Sequence, residues 1–207
     1  MRPGGLAEGV TGHLLISVNR SRNGGLRLRL THPTGAAGPS VEKLPDQLQE
    51  NLRLVFVGTA ASTRSAEMGH YYAHPGNRFW RTIHEVGLTP RRCEPREFPA
   101  LLEFGIGFTD LCKSGAGMDH QALTSPIDVP AFREKILRHM PKTVAFTSKK
   151  AASLFYGKPT RAIALGRQPS LEGFPDVFVL ASPSGAASGS WSVQPWQELA
   201  DWIKGIP

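Results

Sequence analysis

Cysteine is almost missing from this chain. Its 207 residues hold only Cys93 and Cys112. Two thiols exclude a four-thiolate zinc or iron–sulfur site within one chain, and they read as reduced cysteines of a cytosolic compartment. Long apolar runs are missing too. The longest early one, Leu14-Leu15-Ile16, is too short for a signal-peptide core or a membrane span, so a cytoplasmic localisation with no membrane partner is expected. Three signature patterns are also lacking. No Gly-Lys-Ser/Thr follows the first glycine-ending strand, the G-x-G-x-x-G glycines are absent, and no G-x-S-x-G elbow occurs. A P-loop, a dinucleotide fingerprint and an elbow-type serine hydrolase are therefore disfavoured. Acidic residues are the minority charge, with 17 Asp and Glu against 24 Lys and Arg, a formal net charge of +7. A basic surface of that size suits a polyanion such as nucleic acid.

That charge is unevenly spread. Residues 1–45 contain 8 Gly and 4 Pro and carry +4 of the +7. This composition reads as a flexible basic segment, although Leu26-Arg27-Leu28-Arg29-Leu30 alternates like a strand. From Asp46 the pattern becomes regular, and residues 46–207 read as one catalytic-sized domain. Apolar runs at 52–57 (LRLVFV), 104–111 (FGIGFTDL), 143–146 (TVAF) and 177–181 (VFVLA) predict four buried strands. Residues 77–86, 131–140, 149–156 and 195–203 predict helices between and after them. Strands alternating with helices predict a three-layer α/β/α sandwich around a central, mainly parallel four-stranded sheet. Ligands of such sheets bind beyond the carboxyl ends of the strands, here residues 58–63, 109–113, 147–150 and 182–190.

Two of those segments are chemically unusual. Residues 58–80 read GTAASTRSAEMGHYYAHPGNRFW, a glycine after a buried strand and then aromatics wrapped around a polar turn. Residues 180–191, LASPSGAASGSW, are small enough to admit a bulky partner and offer hydroxyl and N–H groups for phosphates. His70 and His74 are four apart, but Pro75 argues against a helix there and no acidic residue lies between them, so no metal is expected.

Together the two segments resemble the uracil-DNA glycosylase superfamily, most closely its mismatch-specific uracil/thymine-DNA glycosylase branch. In that branch a strand ends in Gly-Ile-Asn-Pro, an Ala-His-Pro-x-Asn-x-Phe-Trp stretch follows an aromatic, and the closing motif reads Asn-Pro-Ser-Gly. Here the corresponding stretches are Gly58-Thr59-Ala60-Ala61-Ser62, Tyr72-Ala73-His74-Pro75-Gly76-Asn77-Arg78-Phe79-Trp80 and Ser182-Pro183-Ser184-Gly185. The Tyr-Tyr-Ala-His-Pro run is also similar to the hypoxanthine-DNA glycosylase branch.

The resemblance implies a monomeric DNA repair enzyme without metal or cofactor. It would flip uracil out of DNA and hydrolyse the N-glycosidic bond, leaving an abasic site. It implies base binding by Gly58, Thr59, Ala60, Tyr72 and Ser182, with Tyr72 stacked on the base. DNA contacts would come from Ser62, Arg64, Lys149, Ser184, Gly185, Ala186 and Ala187. Two departures matter. Ala60 stands where the branch has a water-orienting Asn, so that role passes to His74, Asn77 or Asp110. Ala186 and Ala187 stand where the family inserts a bulky residue into the vacated stack. Three rivals stay open: a catalytically weak or inactive relative that binds uracil or single-stranded DNA, a hypoxanthine-directed glycosylase, and a small-molecule hydrolase using Ser182 or Ser184.

Overall fold

A computed structural model describes residues 16–20, 26–30, 44–116 and 127–206. The chain divides into two units, residues 1–40 and 41–207. In the first, β1 (Ile16–Arg20) and β2 (Leu26–Leu30) pair antiparallel, with Ile16 opposite Leu30 and Arg20 opposite Leu26. The Leu-Arg alternation at 26–30 is therefore a strand. Leu44 and Pro45, the end of the expected flexible segment, belong to the second unit, where Leu44 is buried in the core; the rest of that segment lies outside the described residues.

The second unit is built on a five-stranded sheet. Its strands are β3 (Leu54–Ala61), β4 (Ile106–Ala116), β5 (Thr143–Phe146), β6 (Gly166–Arg167) and β7 (Asp176–Val179), in the order β4-β3-β5-β7-β6. β3, β4, β5 and β7 run parallel; β6 alone is antiparallel. The sheet thus has one strand more than the sequence predicts. β6 pairs through Gly166 and Arg167 only, too short a stretch to show a period-two pattern.

Strict alternation along β3 decides which residues face which layer. Leu54 and Phe56 join α2 (Phe79–Glu85) and α5 (Gln194–Gly205) in one core, with Phe79, Ile83, Trp196, Leu199 and Ile203. Val55 and Val57 face the opposite core, built from α3 (Val129–His139) and α4 (Lys149–Tyr156) through Phe132, Ile136, Ala151 and Phe155. Helices on both faces of a mostly parallel sheet make the expected α/β/α sandwich. A ten-residue 3₁₀ segment, Pro95–Phe104, adds Phe98 and Leu101 to the first core. It was not expected, because Pro99 within it breaks the helical period.

Two differences at element ends bear on function. The sequence predicts that the first strand of this sheet ends at Gly58, but β3 continues to Ala61. β4 likewise runs beyond Leu111, and the two stay in register through Gly58↔Asp110 and Ala60↔Cys112 before a bulge at Ala60/Ala61. On its other side β3 loses its partner earlier, because the ladder with β5 stops at Val57↔Phe146. A short helix, α1 (Thr63–Met68), then leaves the strand. Ser62 accepts the Ser65 N–H at its start, and Gly69 closes it with φ of 69°.

Phe56 sits at the centre of the first core, 4.9 Å from Phe79 edge-on, 6.0 Å from Phe108 and 5.9 Å from Trp196, centroid to centroid. Emptying that position should be among the most damaging core changes. Phe56→Ala is expected to lower unfolding stability by about 3–5 kcal/mol, read from urea denaturation followed by far-ultraviolet circular dichroism.

Candidate active site

Because β3 outlasts β5, a crevice opens where the strands part. It is a cavity of about 640 Å³ lined by the ends of β3, β4, β5 and β7 and by the tyrosine turn. Its wall includes Gly58, Thr59, Ala60, Ser62, Arg64, Tyr72, His74, Asn77, Asp110, Ser182, Ser184, Gly185, Ala186 and Ala187. Every expected site residue is brought to this one cavity except Lys149, which opens α4 one residue beyond the lining Ser148. The cavity lies beyond the carboxyl ends of the strands, because parallel strands present all of those ends on one side.

The floor is set by a missing side chain. Gly58 lies opposite Asp110 in the parallel register, and a Cβ at position 58 would collide with the Asp110 carboxylate oxygen. Glycine is required here to admit a carboxylate, not for an unusual backbone angle. Asp110 is 4% exposed yet lines the cavity, so its carboxylate is presented to the interior rather than to bulk water.

Tyr72 forms a wall beside it. Its ring stacks on Phe79 at 3.9 Å between centroids and 11° between planes, and its hydroxyl donates to Thr147 Oγ1 at 3.1 Å. Thr147 donates in turn to Val57 O at 3.2 Å, so the ring is tied to the end of the central strand. The backbone of Tyr72 is left-handed, with φ of 54°. For a bulky residue this conformation costs of order 1–3 kcal/mol and persists only where surrounding contacts over-determine it. The stack and the hydroxyl bond supply that determination. The neighbouring Tyr71 is buried, donates to Pro45 O at 3.1 Å and stacks on Phe108 at 5.0 Å.

The polar turn separates the three residues considered for the missing Asn. His74 is exposed, and its Nδ1 accepts the Gly76 N–H at 3.0 Å, which leaves the neutral ring's proton on Nε2. Asn77 Oδ1 accepts the N–H of Phe79, the first residue of α2, at 2.9 Å. Its acceptor oxygen is therefore engaged in folding. Asp110 is the carboxylate among the three, and it lies deepest.

The closing loop is pinned to this turn. Arg78 donates its backbone N–H to Pro183 O at 2.8 Å, and its guanidinium reaches Ser188 Oγ at 3.0 Å and Ser184 O at 3.4 Å. Gly185 passes so close to the turn that a Cβ would lie 3.1 Å from Gly76 O. Ser184 Oγ accepts the Ala186 N–H and Ser182 Oγ accepts the Ser184 N–H, each at 3.4 Å, so both hydroxyls shape their own loop. Ala186 and Arg64 are exposed at the rim.

Behind the floor lies a set of charges that sequence reading missed. Residues Gln47 and Phe108 exchange backbone hydrogen bonds, both 2.9 Å, which lays the segment before β3 across β4. Gly107 makes this possible, since a Cβ there would lie 2.6 Å from Gln47 O. Asp46 is thereby placed 2.9 Å from Lys113 Nζ and 2.7 Å from Lys135 Nζ, and it accepts the Thr109 hydroxyl at 2.6 Å. Burial pushes the Asp46 carboxyl up, but Lys113 and Lys135 outweigh it and hold it below the usual aspartate range. The contributing residues are 46, 109, 113 and 135, too far apart in sequence for any spacing to reveal the set. Thr147 and Ser148 were also missed as individuals, although their strand end was expected.

A family model of the uracil DNA glycosylase superfamily matches residues 45–201. The chain belongs to that superfamily, whose members are glycosylase-type hydrolases acting on DNA. The fold agrees with the solution NMR structure of a candidate uracil DNA glycosylase from Methanosarcina acetivorans. That protein is 22% identical, with a TM-score of 0.54 over 78% of this chain and 96% of its own. Among the described residues no helix is long and apolar enough to cross a membrane.

The depressed Asp46 carboxyl makes a pH prediction. A group that titrates lower when folded stabilises fully above its unfolded value, about pH 4, and loses that contribution as pH falls through the folded value. Asp46→Asn should therefore be about 1–3 kcal/mol less stable than wild type at pH 7. The gap should narrow as urea titrations move from pH 6 to pH 3; a constant gap would contradict the ion-pair origin.

Proposed function

We propose that this chain is a monofunctional uracil-DNA glycosylase that works as a monomer on uracil-containing DNA. The observation that carries the reading is the Asp110 carboxylate, seated over Gly58 in the floor of a cavity walled by Tyr72. Cavity size, an aromatic wall and a buried carboxylate suit a flipped nucleotide whose sugar passes through an oxocarbenium-like state.

The base enters against Tyr72, whose ring is already held by Phe79 and Thr147. Backbone N–H groups around Thr59 and Ala60 meet its carbonyl oxygens on the side that β5 leaves open, with Ser182 beyond them. The bond from the sugar C1′ to the base breaks, and its electron pair departs with the base as an anion. Asp110 stands near the cationic sugar and accepts a proton from the attacking water, whose oxygen bonds to C1′. Free uracil and an abasic site result. Asp110 takes this role because Ala60 offers no polar group and the Asn77 oxygen is bonded to α2. His74, with its Nε2–H at the rim, donates towards the departing base or a phosphate. Arg64 and the 182–187 loop face the strand backbone, with Lys149 and Ser62 as flanking contacts.

Duplexes carrying one uracil, incubated with the chain and then treated with alkali, test the reading directly. Wild type should break the strand at uracil, and Asp110→Asn should slow single-turnover cleavage by about 10² or more. Tyr72→Ala should lose about tenfold or more, the size expected for one stacking contact. No cleavage by wild type at high enzyme concentration would overturn the proposal in favour of a binding relative. Parallel duplexes with hypoxanthine or thymine report which bases the cavity accepts.

A further inference from the structure

We infer that Lys113 is the positioning residue of this site: clamped by Asp46 from behind, its ammonium holds the Asp110 carboxylate ionised and in place over Gly58. The inference rests on the role proposed for Asp110 and adds how that carboxylate is kept ready inside a cavity.

Lys113 is one helix-turn's distance along the chain from Asp110 but lies on the same strand, and its side chain is only 13% exposed. Its Nζ sits 3.9 Å from Asp110 Oδ2, 2.9 Å from Asp46 Oδ1 and 3.1 Å from the Tyr71 hydroxyl. The Tyr71 ring lies beneath it, 5.7 Å from ammonium to centroid. The lysine therefore cannot swing to solvent as a surface lysine would; two elements outside its own strand fix its head. Asp46 is in turn fixed by Lys135 of α3 and by the Thr109 hydroxyl. The charges form a neutral row, Lys135, Asp46, Lys113, Asp110, from α3 to the cavity floor.

Among the described residues, the groups facing this row come from four places. Asp46 comes from the segment before β3, Lys135 from α3, Tyr71 and Tyr72 from the tyrosine turn, and Cys112 neighbours Lys113 on β4. Lys113 is the cation nearest to Asp110 in that set. Removing it would take from Asp110 the ammonium at 3.9 Å and leave it facing Asp46, which keeps Lys135 and the Thr109 hydroxyl, and loss of a nearby cation raises a carboxyl's pKa. Asp110 would then hold its proton to higher pH and accept none from water.

Two readouts separate this role from mere structural support. In single-turnover assays from pH 5 to 9, Lys113→Met should move the acid limb of the rate profile up by about one unit or more, while Lys113→Arg keeps the wild-type limb. Equal loss at every pH, or an unchanged profile, would overturn the inference. The Asp110 carboxyl can also be titrated by ¹³C NMR with no substrate, where Lys113→Met should raise its midpoint by a similar amount. Lys113→Gln, which keeps donors for Asp46 and the Tyr71 hydroxyl but carries no charge, should raise it as well, and this variant decides the matter if Lys113→Met does not fold. An unmoved midpoint in both variants overturns the inference. Should Asp110→Asn retain full cleavage while the midpoint moves as expected, the catalytic role of Asp110 fails and the coupling stands.

Discussion

The whole site hangs on one mismatch of strand lengths. β3 and β4 remain paired through Ala60 and Cys112, whereas β5 leaves β3 after Phe146. In a parallel sheet that early departure opens a crevice along the central strand, with backbone groups on one side no longer used by a ladder. The long β3–β4 pairing then places Asp110 beside Gly58, and the absent Cβ lets its carboxylate occupy the crevice floor. A side chain at 58 and a carboxylate at 110 are mutually exclusive in this register.

The aromatic core supports that crevice from below. Phe56, Phe79, Phe108 and Trp196 interlock under it, and Tyr72 extends the same stack into the cavity wall. The left-handed backbone at Tyr72 lets consecutive tyrosines do different work. Tyr71 packs into the core against Phe108, and Tyr72 lines the opening. Arg78 completes the frame by binding the closing loop to the start of α2, so the two loops of the opening are one connected unit.

Electrostatics divides the molecule into two scales. The net charge of +7 is a property of the whole chain, suited to a polyanionic partner. The site itself rests on a locally neutral arrangement, in which two carboxylates and two ammonium groups compensate one another behind the floor. Local neutrality lets these groups stay out of water, where any one alone would be strongly disfavoured. Ala60 brings no polar side chain to its place in the first motif, and the Asp110 carboxylate is on the neighbouring strand rather than farther along the same loop.

The sequence by itself determined the layered architecture, because alternation and apolar runs depend only on local periodicity. It also determined the family and most of the cavity lining, because 58–62, 72–80 and 182–185 are contiguous motifs. Its errors were of one kind. The end of β3 and the fifth strand depend on which strands pair, and strand neighbours are not local. Only the tertiary structure decided that His74 lies at the rim, that the Asp110 carboxylate lies against Gly58, and that Lys113 connects it to Asp46. The last two come from strand register and from a segment folded back across β4, contacts between residues tens of positions apart that leave no mark on spacing or composition.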